Sequence, residues 1–227
     1  MGAISLEKSA QMYWLGRYME RVFITMQNYI KCFDKSIDAP GEAYQAYCRA
    51  LGMEDIYHSD EAFFERYLYD EKDCSSVAFS LERAFDNAIV LRNEISTEAL
   101  AYIHLAQEKL AESKVDSEHL IVLQSIVDQL YAFWGCIDDE VEDEDHRNII
   151  KVGRYVERLD LCMRLKVDQQ LINKAFRKLK DRIQRLSRPY DDEKLFRLGE
   201  ILKMEDWTER AGEALMYVNS LFEVPVE

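Results

Sequence analysis

The sequence predicts an all-α protein, a single-domain multi-helix bundle covering residues 1–227. Only three prolines and eight glycines interrupt the 227 residues, and so few helix breakers are typical of long helices. Apolar residues recur at helical spacing, and no stretch alternates with period two for long enough to indicate a strand. Hydrophobic residues make up 48% of the chain and charged residues 32%, a globular composition with enough length for one core.

The first helix is expected over roughly residues 6–37. Ser5 is a suitable N-cap residue, and Pro40-Gly41 must end the helix. Between these limits, apolar residues are spaced alternately three and four apart, which forms an apolar seam along one helix face. The seam consists of Met12, Leu15, Met19, Val22, Met26, Tyr29 and Phe33.

The rest of the chain reads as a series of further helices. Ser75 or Ser76 is expected to cap a long one, and Ser96 marks either a kink or a new cap before residues 97–112. Asp116 or Ser117 is expected to open the next helix. Two short helices are expected within 42–70, separated near Gly52 to Ser59. The helical stretch that begins at Ser75 or Ser76 is expected to reach about residue 112, and the one that begins at Asp116 or Ser117 to reach about residue 138. The remaining expected helices cover 146–166, 168–187, 191–203 and 206–221.

The run DDEVEDED, residues 138–145, is the clearest loop candidate. Its seven carboxylates repel one another and favour contact with water, and its later residues precede a helix N-terminus, where acidic residues are favoured. A calcium-binding loop is the alternative, but the run lacks the alternating spacing and the turn glycine of an EF-hand.

Net charge and cysteine usage limit the partners and the compartment. A formal charge of −14 disfavours nucleic-acid binding, because an acidic chain repels phosphate backbones. The basic segment 174–188 is interpreted as the solvated face of a helix, with local binding of an anion as the alternative. We find no signal-peptide pattern at the N-terminus and no apolar run of membrane-spanning length. Five scattered cysteines indicate free thiols in a reducing cytoplasm.

A six-residue motif occurs twice, as GRYMER at 16–21 and GRYVER at 153–158. Adding 137 to the numbers of the first five seam residues, 12, 15, 19, 22 and 26, gives an apolar residue in each case. The two segments therefore share a helical register and not only a short string, which indicates one helix used twice. The paired seam positions are Met12 and Ile149, Leu15 and Val152, Met19 and Val156, Val22 and Leu159, and Met26 and Met163.

The charged residues of both copies are expected inside the protein or at the wall of a cleft. Arg17, Glu20 and Arg21 lie opposite the seam, but apolar residues share that side, and a helix that is apolar nearly all round is usually buried. Each motif also begins with a glycine, Gly16 or Gly153, and a glycine within a helix is tolerated where another backbone or a ligand comes close. The two helices facing each other would pair Glu20 with Arg158 or Arg154, and Glu157 with Arg21 or Arg17. Four arginines against two glutamates leave a positive excess that suits an anionic ligand.

A third Glu-Arg pair lies in SLERAFDNAIVLRNEISTE, residues 80–98. Within it, Arg83 and Asn87 are four residues apart, as are Arg92 and Ser96, so each pair is expected to meet on one helix face. The Glu-Arg dipeptide alone is weak evidence, because it also occurs elsewhere in the chain.

At these motifs the sequence resembles the bacterial alpha-E domains, helical proteins with a recurrent Glu-Arg motif. The resemblance rests on YWLGRYMERV, ERAFDNAIVLRNEISTEAL, FWGCI and VGRYVERLDL, and covers most of residues 5–165. It implies an accessory component of a peptide-synthesis or peptide-modification system, with an ATP-grasp-type ligase or a transglutaminase-like protein as partner. The implied functional positions, as ligand-binding residues, are Arg17, Glu20, Arg21, Arg83, Asn87, Arg92, Arg154, Glu157 and Arg158.

Three classes of function compete. In the first, the arginines of an accessory protein hold a carboxylate or an acyl phosphate. In the second, the chain is a structural or interaction module whose Arg-Glu pairs fix helix register. The third, a carboxylate-bridged metal enzyme, is disfavoured because none of the four histidines follows a glutamate by three residues.

The sequence offers little sign of independent catalysis. It contains no Gly-x-Ser-x-Gly, no P-loop and no Gly-x-Gly-x-x-Gly. We therefore expect no cofactor, no bound metal and no enzymatic activity of the chain alone, with no nucleic-acid or membrane partner; a homo-oligomer remains open.

Overall fold

The computed structural model describes residues 5–114, 119–187 and 189–222. Within these residues the chain forms helices and turns without strands, so the predicted all-α fold is confirmed. Two short 3-10 helices, Tyr67–Tyr69 and Trp207–Arg210, accompany the α-helices. The α-helices are α1 (Leu6–Asp38), α2 (Glu42–Leu51), α3 (Asp60–Arg66), α4 (Val77–Val90), α5 (Thr97–Ser113), α6 (His119–Asp139), α7 (Glu144–Arg164), α8 (Gln169–Ile183), α9 (Asp192–Ile201) and α10 (Ala211–Asn219).

Serine side chains start the helices where the sequence indicated. Ser5 accepts a hydrogen bond from the backbone N–H of Lys8 at 3.2 Å, and Ser76 rather than Ser75 caps α4. Ser96 begins a new helix instead of marking a kink, because α4 ends at Val90 and turns follow. Its hydroxyl satisfies an N–H group of the first turn of α5, which would otherwise lack a partner. The expected caps Asp116 and Ser117 lie outside the described residues.

The acidic run 138–145 was wrongly predicted as one continuous loop. Helix α6 continues to Asp139 and α7 begins at Glu144, so only residues 140–143 connect them. The helix is extended at its end because Asp138 pairs with the buried Lys151 of α7, which offsets part of the repulsion within the run. At the other end Asp143 caps α7 by accepting from the N–H of His146 at 3.1 Å.

The C-terminal boundaries also differ from those expected. Helix α8 ends at Ile183, and the segment expected over 206–221 divides into a 3-10 turn followed by α10. The 3-10 turn still contributes to the core, because Trp207 is buried there.

Helix α1 is the central element of the fold. It packs against α7, α4, α2 and α6, and residues 15–20 are buried without interruption, so no face of the helix is exposed there. The apolar seams of α1 and α7 are both in the core, as the shared register predicted. Helices α8 and α10 then pack on α7, and α9 packs on α10.

The backbones of α1 and α7 touch at the two glycines of the repeated motif. A Cβ added at Gly16 would overlap the carbonyl oxygen of Ile150 and lie 3.0 Å from the backbone nitrogen of Arg154. A Cβ at Gly153 would overlap the carbonyl oxygen of Tyr13 in the same way. The two contacts are reciprocal, because adding 137 to 16 and to 13 gives 153 and 150. Glycine is thus required on both helices for their close approach.

None of the helices in the described ranges combines the length and the apolar character needed to cross a membrane.

Substituting either motif glycine by alanine is expected to destabilise the protein. The new methyl group in Gly16→Ala or Gly153→Ala meets backbone atoms, which cannot move aside as a side chain can. We expect the free energy of unfolding to fall by about 3 kcal/mol, the upper part of the range for overpacking. Urea unfolding followed by circular dichroism measures the change.

Gly135→Ala is the matched control, since a Cβ at Gly135 on α6 meets nothing within 4 Å. Alanine at an open helical position stabilises by up to about 1 kcal/mol. Equal effects of Gly135→Ala and Gly16→Ala would contradict the close approach of the two backbones.

Candidate functional site

Two buried glutamates, one from each motif copy, are each clamped by two arginines of the opposite helix. Glu157 accepts from Arg17 Nε at its Oε2 and from Arg21 Nε at its Oε1, both at 2.6 Å. Arg17 pairs with Glu157, and Glu20 pairs with Arg154. Residue numbers thus rise along α1 as those of the partners fall along α7, so the two helices are antiparallel.

The second clamp repeats the first in the opposite direction. Glu20 accepts from Arg154 Nε at 3.0 Å and from Arg158 Nε. The sequence predicted that each glutamate pairs with one or the other arginine of the opposite motif. In the structure each glutamate pairs with both arginines at once. We call the six residues the Arg/Glu centre: Arg17, Glu20, Arg21, Arg154, Glu157 and Arg158.

Burial and ion pairing compete at the two glutamates. Burial opposes ionisation of Glu157, but Arg21 and Arg17 outweigh it and lower its pKa to about 2. Burial is the larger influence at Glu20, which is fully enclosed, and raises its pKa against the pull of Arg158 and Arg154. As pH falls, Glu20 therefore takes up a proton before Glu157 does.

Aromatic rings cover the guanidinium groups. The ring centroid of Trp14 lies 5.1 Å from the Arg17 guanidinium carbon, and that of Trp134 lies 4.0 Å from the Arg154 guanidinium carbon. Cation–π contacts of this kind are strongest where water is excluded. Trp134 reaches the centre from α6 and belongs to the FWGCI segment.

The two halves of the Arg/Glu centre have different neighbours. Arg17 Nη2 donates to Asn219 Oδ1 at 2.9 Å, and Asn219 Nδ2 donates to Asp160 Oδ1 at 2.6 Å. The end of α10 therefore contacts this half of the centre at Arg17, and the carboxylate of Asp160 lies beside that contact. The half built by Arg154 and Arg158 instead borders a groove next to α8.

Asn219 could not be identified from the sequence as part of this network. It is a single asparagine near the end of the last helix, with no motif around it. Only the packing of α10 on α7 brings it to Arg17.

Comparison with known families decides the classification. The profile of a family described as "Alpha-E: A predicted alpha-helical domain with a conserved ER motif" matches residues 9–191. The chain belongs to the Alpha-E family. No curated protein matches it, and no solved structure does. The match extends past residue 165, so it includes α8, while α10 of this Alpha-E protein lies outside it.

The third Glu-Arg segment of the Alpha-E chain does not join the centre by hydrogen bonds or ion pairs among the described residues. Arg83 pairs with Asp86 at 3.5 Å and lies over the ring of Phe79. Asn87 is buried on α4, and its amide nitrogen has no hydrogen-bond partner within the described part of the chain. Arg83 and Asn87 were expected to meet, and the structure forms no hydrogen bond between them.

The expected pairing of Arg92 with Ser96 is also wrong. Arg92 is exposed in the turn after α4, where the four-residue spacing no longer places two residues on one helix face. The Ser96 hydroxyl accepts instead from the N–H of Ala99 at 3.0 Å.

A buried lysine beside the centre was not anticipated from the sequence. Lys151 of α7 is almost fully buried and contacts Asp138. Burial, Arg182, Arg154 and Lys178 lower the pKa of Lys151 to about 8. The signal in the sequence was the lysine within an otherwise apolar stretch of α7, IIKVG.

No cluster of three or more histidine, cysteine or acidic side chains capable of holding a metal ion occurs among the residues with described positions.

Replacing Glu157 by glutamine tests the strength of the clamp. Removing one partner of a buried ion pair typically costs about 3–5 kcal/mol, and we expect Glu157→Gln to lower the free energy of unfolding at pH 7 by that amount. The folded pKa of about 2 lies below the unfolded value of about 4.3. The stabilisation is therefore full above the unfolded pKa and is lost as pH falls towards 2.

Urea unfolding of wild type and Glu157→Gln at pH 7, 5, 4 and 3 measures this difference, which should shrink below pH 4.5. Glu193→Gln is the control, because Glu193 forms an exposed pair with Arg197 and such pairs contribute about 0–1 kcal/mol. A loss for Glu157→Gln no larger than that of the control would show that the clamp does not stabilise the fold.

Proposed function

We propose that this Alpha-E protein is an accessory component of an ATP-grasp-linked peptide-synthesis or peptide-modification system. In this proposal the Arg/Glu centre holds an anionic group, a carboxylate or an acyl phosphate, for a partner of the ATP-grasp-ligase or transglutaminase-like type. The partner class comes from the resemblance of the motif segments, and the anionic group from the chemistry of the centre.

The observation that carries the proposal is the unequal charge of the centre. Four guanidinium groups surround two carboxylates, and each arginine uses its Nε for the glutamate. The outer Nη groups of Arg21, Arg154 and Arg158 form no hydrogen bond within the described residues, whereas Arg17 Nη2 is taken by Asn219. Guanidinium edges of this kind suit bidentate contacts to carboxylate or phosphate oxygens.

The protonation state of the centre favours binding over proton transfer. A general base works best when its pKa lies near the operating pH. The pKa of Glu157 is held near 2 by its arginines, so Glu157 is a poor base at neutral pH. The pKa of Glu20 is raised by burial, but both of its carboxylate oxygens already accept hydrogen bonds from Arg154 and Arg158. A role beside a catalytic partner therefore fits the centre better than independent catalysis.

The second candidate function, a purely structural module, is favoured by a different observation. Both glutamates are almost completely buried, and all four Nε groups of the arginines are engaged by them. A buried ion network can select one helix register without adding net stability. In this case the centre would have no ligand, and any partner would bind elsewhere on the protein.

Affinity purification of the tagged protein from its native host, followed by mass spectrometry, tests the partner class. We expect an ATP-grasp-type ligase in stoichiometric amount, absent from a parallel purification of the untagged strain. Recovery of the protein alone, or only of further copies of itself, would contradict an accessory role.

Arg158→Lys separates the ligand-binding function from the structural one. Arg158 is the most exposed of the four arginines, with 29% of its side chain accessible. A lysine keeps one positive charge near Glu20 but loses the planar pair of donors, so we expect partner-dependent product formation to drop about tenfold. The melting temperature should change by no more than about 4 °C.

Arg197→Lys is the control, since Arg197 pairs with Glu193 on α9 and is not part of the hydrogen-bond network of the centre. Product formation that falls only in proportion to the loss of folded protein, and equally in both variants, would support the structural module.

A further inference from the structure

A groove beside the Arg/Glu centre has the size of a small-molecule site. It lies between α1, α6, α7 and α8 and encloses about 540 Å³. Ligand pockets in proteins typically measure about 300–1,000 Å³ and combine apolar walls with a few charged groups.

Four cationic side chains from two helices line the groove. Arg154 and Arg158 come from α7, and Lys174 and Lys178 come from α8. The two lysines are four residues apart and so lie on one face of α8. Neither lysine forms an ion pair among the described residues, and the lining within that part of the chain contains no carboxylate.

Most basic side chains of the segment 174–188 are exposed, as its interpretation as a solvated helix face predicts, and two of its lysines also line the groove. Lys174, Arg177, Lys178 and Lys180 are all exposed on α8. Only Lys174 and Lys178 line the groove, so the helix carries one pair of positive charges at the groove and another pair outside it.

The positive charge in the groove is only partly neutralised by the protein. Glu20 lies behind the two arginines and engages their Nε groups, which leaves one carboxylate against four cations. Burial and the charge of Arg158 lower the pKa of Arg154, although Glu20 opposes this. An anion in the groove would relieve the mutual repulsion of these cations.

Large apolar side chains form the rest of the groove. Tyr131 of α6 is 56% exposed and packs edge-on against Phe23 of α1, with ring centroids 5.2 Å apart. Leu171 of α8 is 53% exposed at the same groove. Exposed apolar groups beside a cationic floor fit a ligand that has an apolar body as well as a negative group.

We infer that this groove binds an amphipathic anion, with its carboxylate or phosphate oxygens between Arg154, Arg158 and the two lysines and its apolar body against Phe23, Tyr131 and Leu171. The inference rests on the proposed function, because Arg154 and Arg158 belong to both. It adds the position of the anion on the α8 side, two further binding residues and the amphipathic character of the ligand.

The opposite half of the centre is a less suitable place for the anion. Arg17 already donates to Asn219, and the carboxylate of Asp160 lies next to that contact. An anionic ligand bound there would be repelled by the Asp160 carboxylate. On the α8 side it would instead lie near two additional cations, Lys174 and Lys178.

Isothermal titration calorimetry on the full chain tests the groove with three probes that each carry a phenyl ring. N-acetyl-phenylalanine carries a carboxylate, phenyl phosphate carries a phosphate, and N-acetyl-phenylalaninamide is neutral. We expect saturable binding of at least one anion and at least about tenfold weaker binding of the amide, the loss expected for one charged hydrogen bond. The stronger of the two anions indicates whether the natural group is a carboxylate or a phosphate.

The double variant Lys174→Gln/Lys178→Gln removes the groove lysines without touching the Arg/Glu centre. It should bind the anionic probes at least about tenfold more weakly than wild type. Arg177→Gln/Lys180→Gln is the matched control, because it removes two charges from the same helix outside the groove, and its affinity should stay within about twofold of wild type. Unchanged circular dichroism spectra and melting temperatures verify that both variants fold.

Three results would overturn the inference: no saturable binding of either anion to wild type, equal affinity for the neutral amide, or equal loss in both double variants. The proposed function is tested separately, by recovery of the ligase and by the partner-dependent activity of Arg158→Lys. A ligase recovered with a protein whose groove binds no anion would keep the accessory role and place its function outside the groove.

Discussion

The reciprocal contact of α1 and α7 is the constraint on which the rest of the structure depends. Gly16 and Gly153 let the two backbones touch, and this short separation allows Glu20 and Glu157 to reach across to arginines of the other helix. Two charged side chains can be buried there because each carboxylate meets two guanidinium groups in hydrogen-bonding geometry. Helices α2, α4, α6, α8 and α10 pack on this pair, while α5 packs on α6 and α4, and α9 packs on α10.

The same six-residue motif produces two different environments. In one half, α10 brings Asn219 onto Arg17, and Asp160 adds negative charge. In the other half, α8 brings Lys174 and Lys178 to the side of Arg154 and Arg158. The difference arises from the helices that lie beside each half and not from the motif itself, so a repeat with internal two-fold character has an asparagine and a carboxylate on one side and two lysines on the other.

A local basic groove on an acidic chain has a physical consequence for binding. The net charge of −14 repels anions at long range, but charges in solution are screened beyond about 8–10 Å at physiological ionic strength. Within the groove the nearby cations dominate, since Coulomb energies rise at short distance and in partly buried surroundings. Selectivity for an anion would therefore depend on contacts inside the groove and gain little from long-range attraction.

The sequence by itself determined the helical class, the first helix with its Ser5 cap, the register shared by 12–26 and 149–163, and the burial of the motif charges. These properties follow from local periodicity and from the cost of an unpaired buried charge, which the order of residues expresses directly. Only the tertiary structure decided that each glutamate takes both arginines, that Arg83 and Arg92 form no bond to the centre, and that Asn219, Lys151 and the α8 lysines lie next to it. Those contacts join residues far apart in the chain, and their geometry depends on how α6, α8 and α10 pack, which no local pattern encodes.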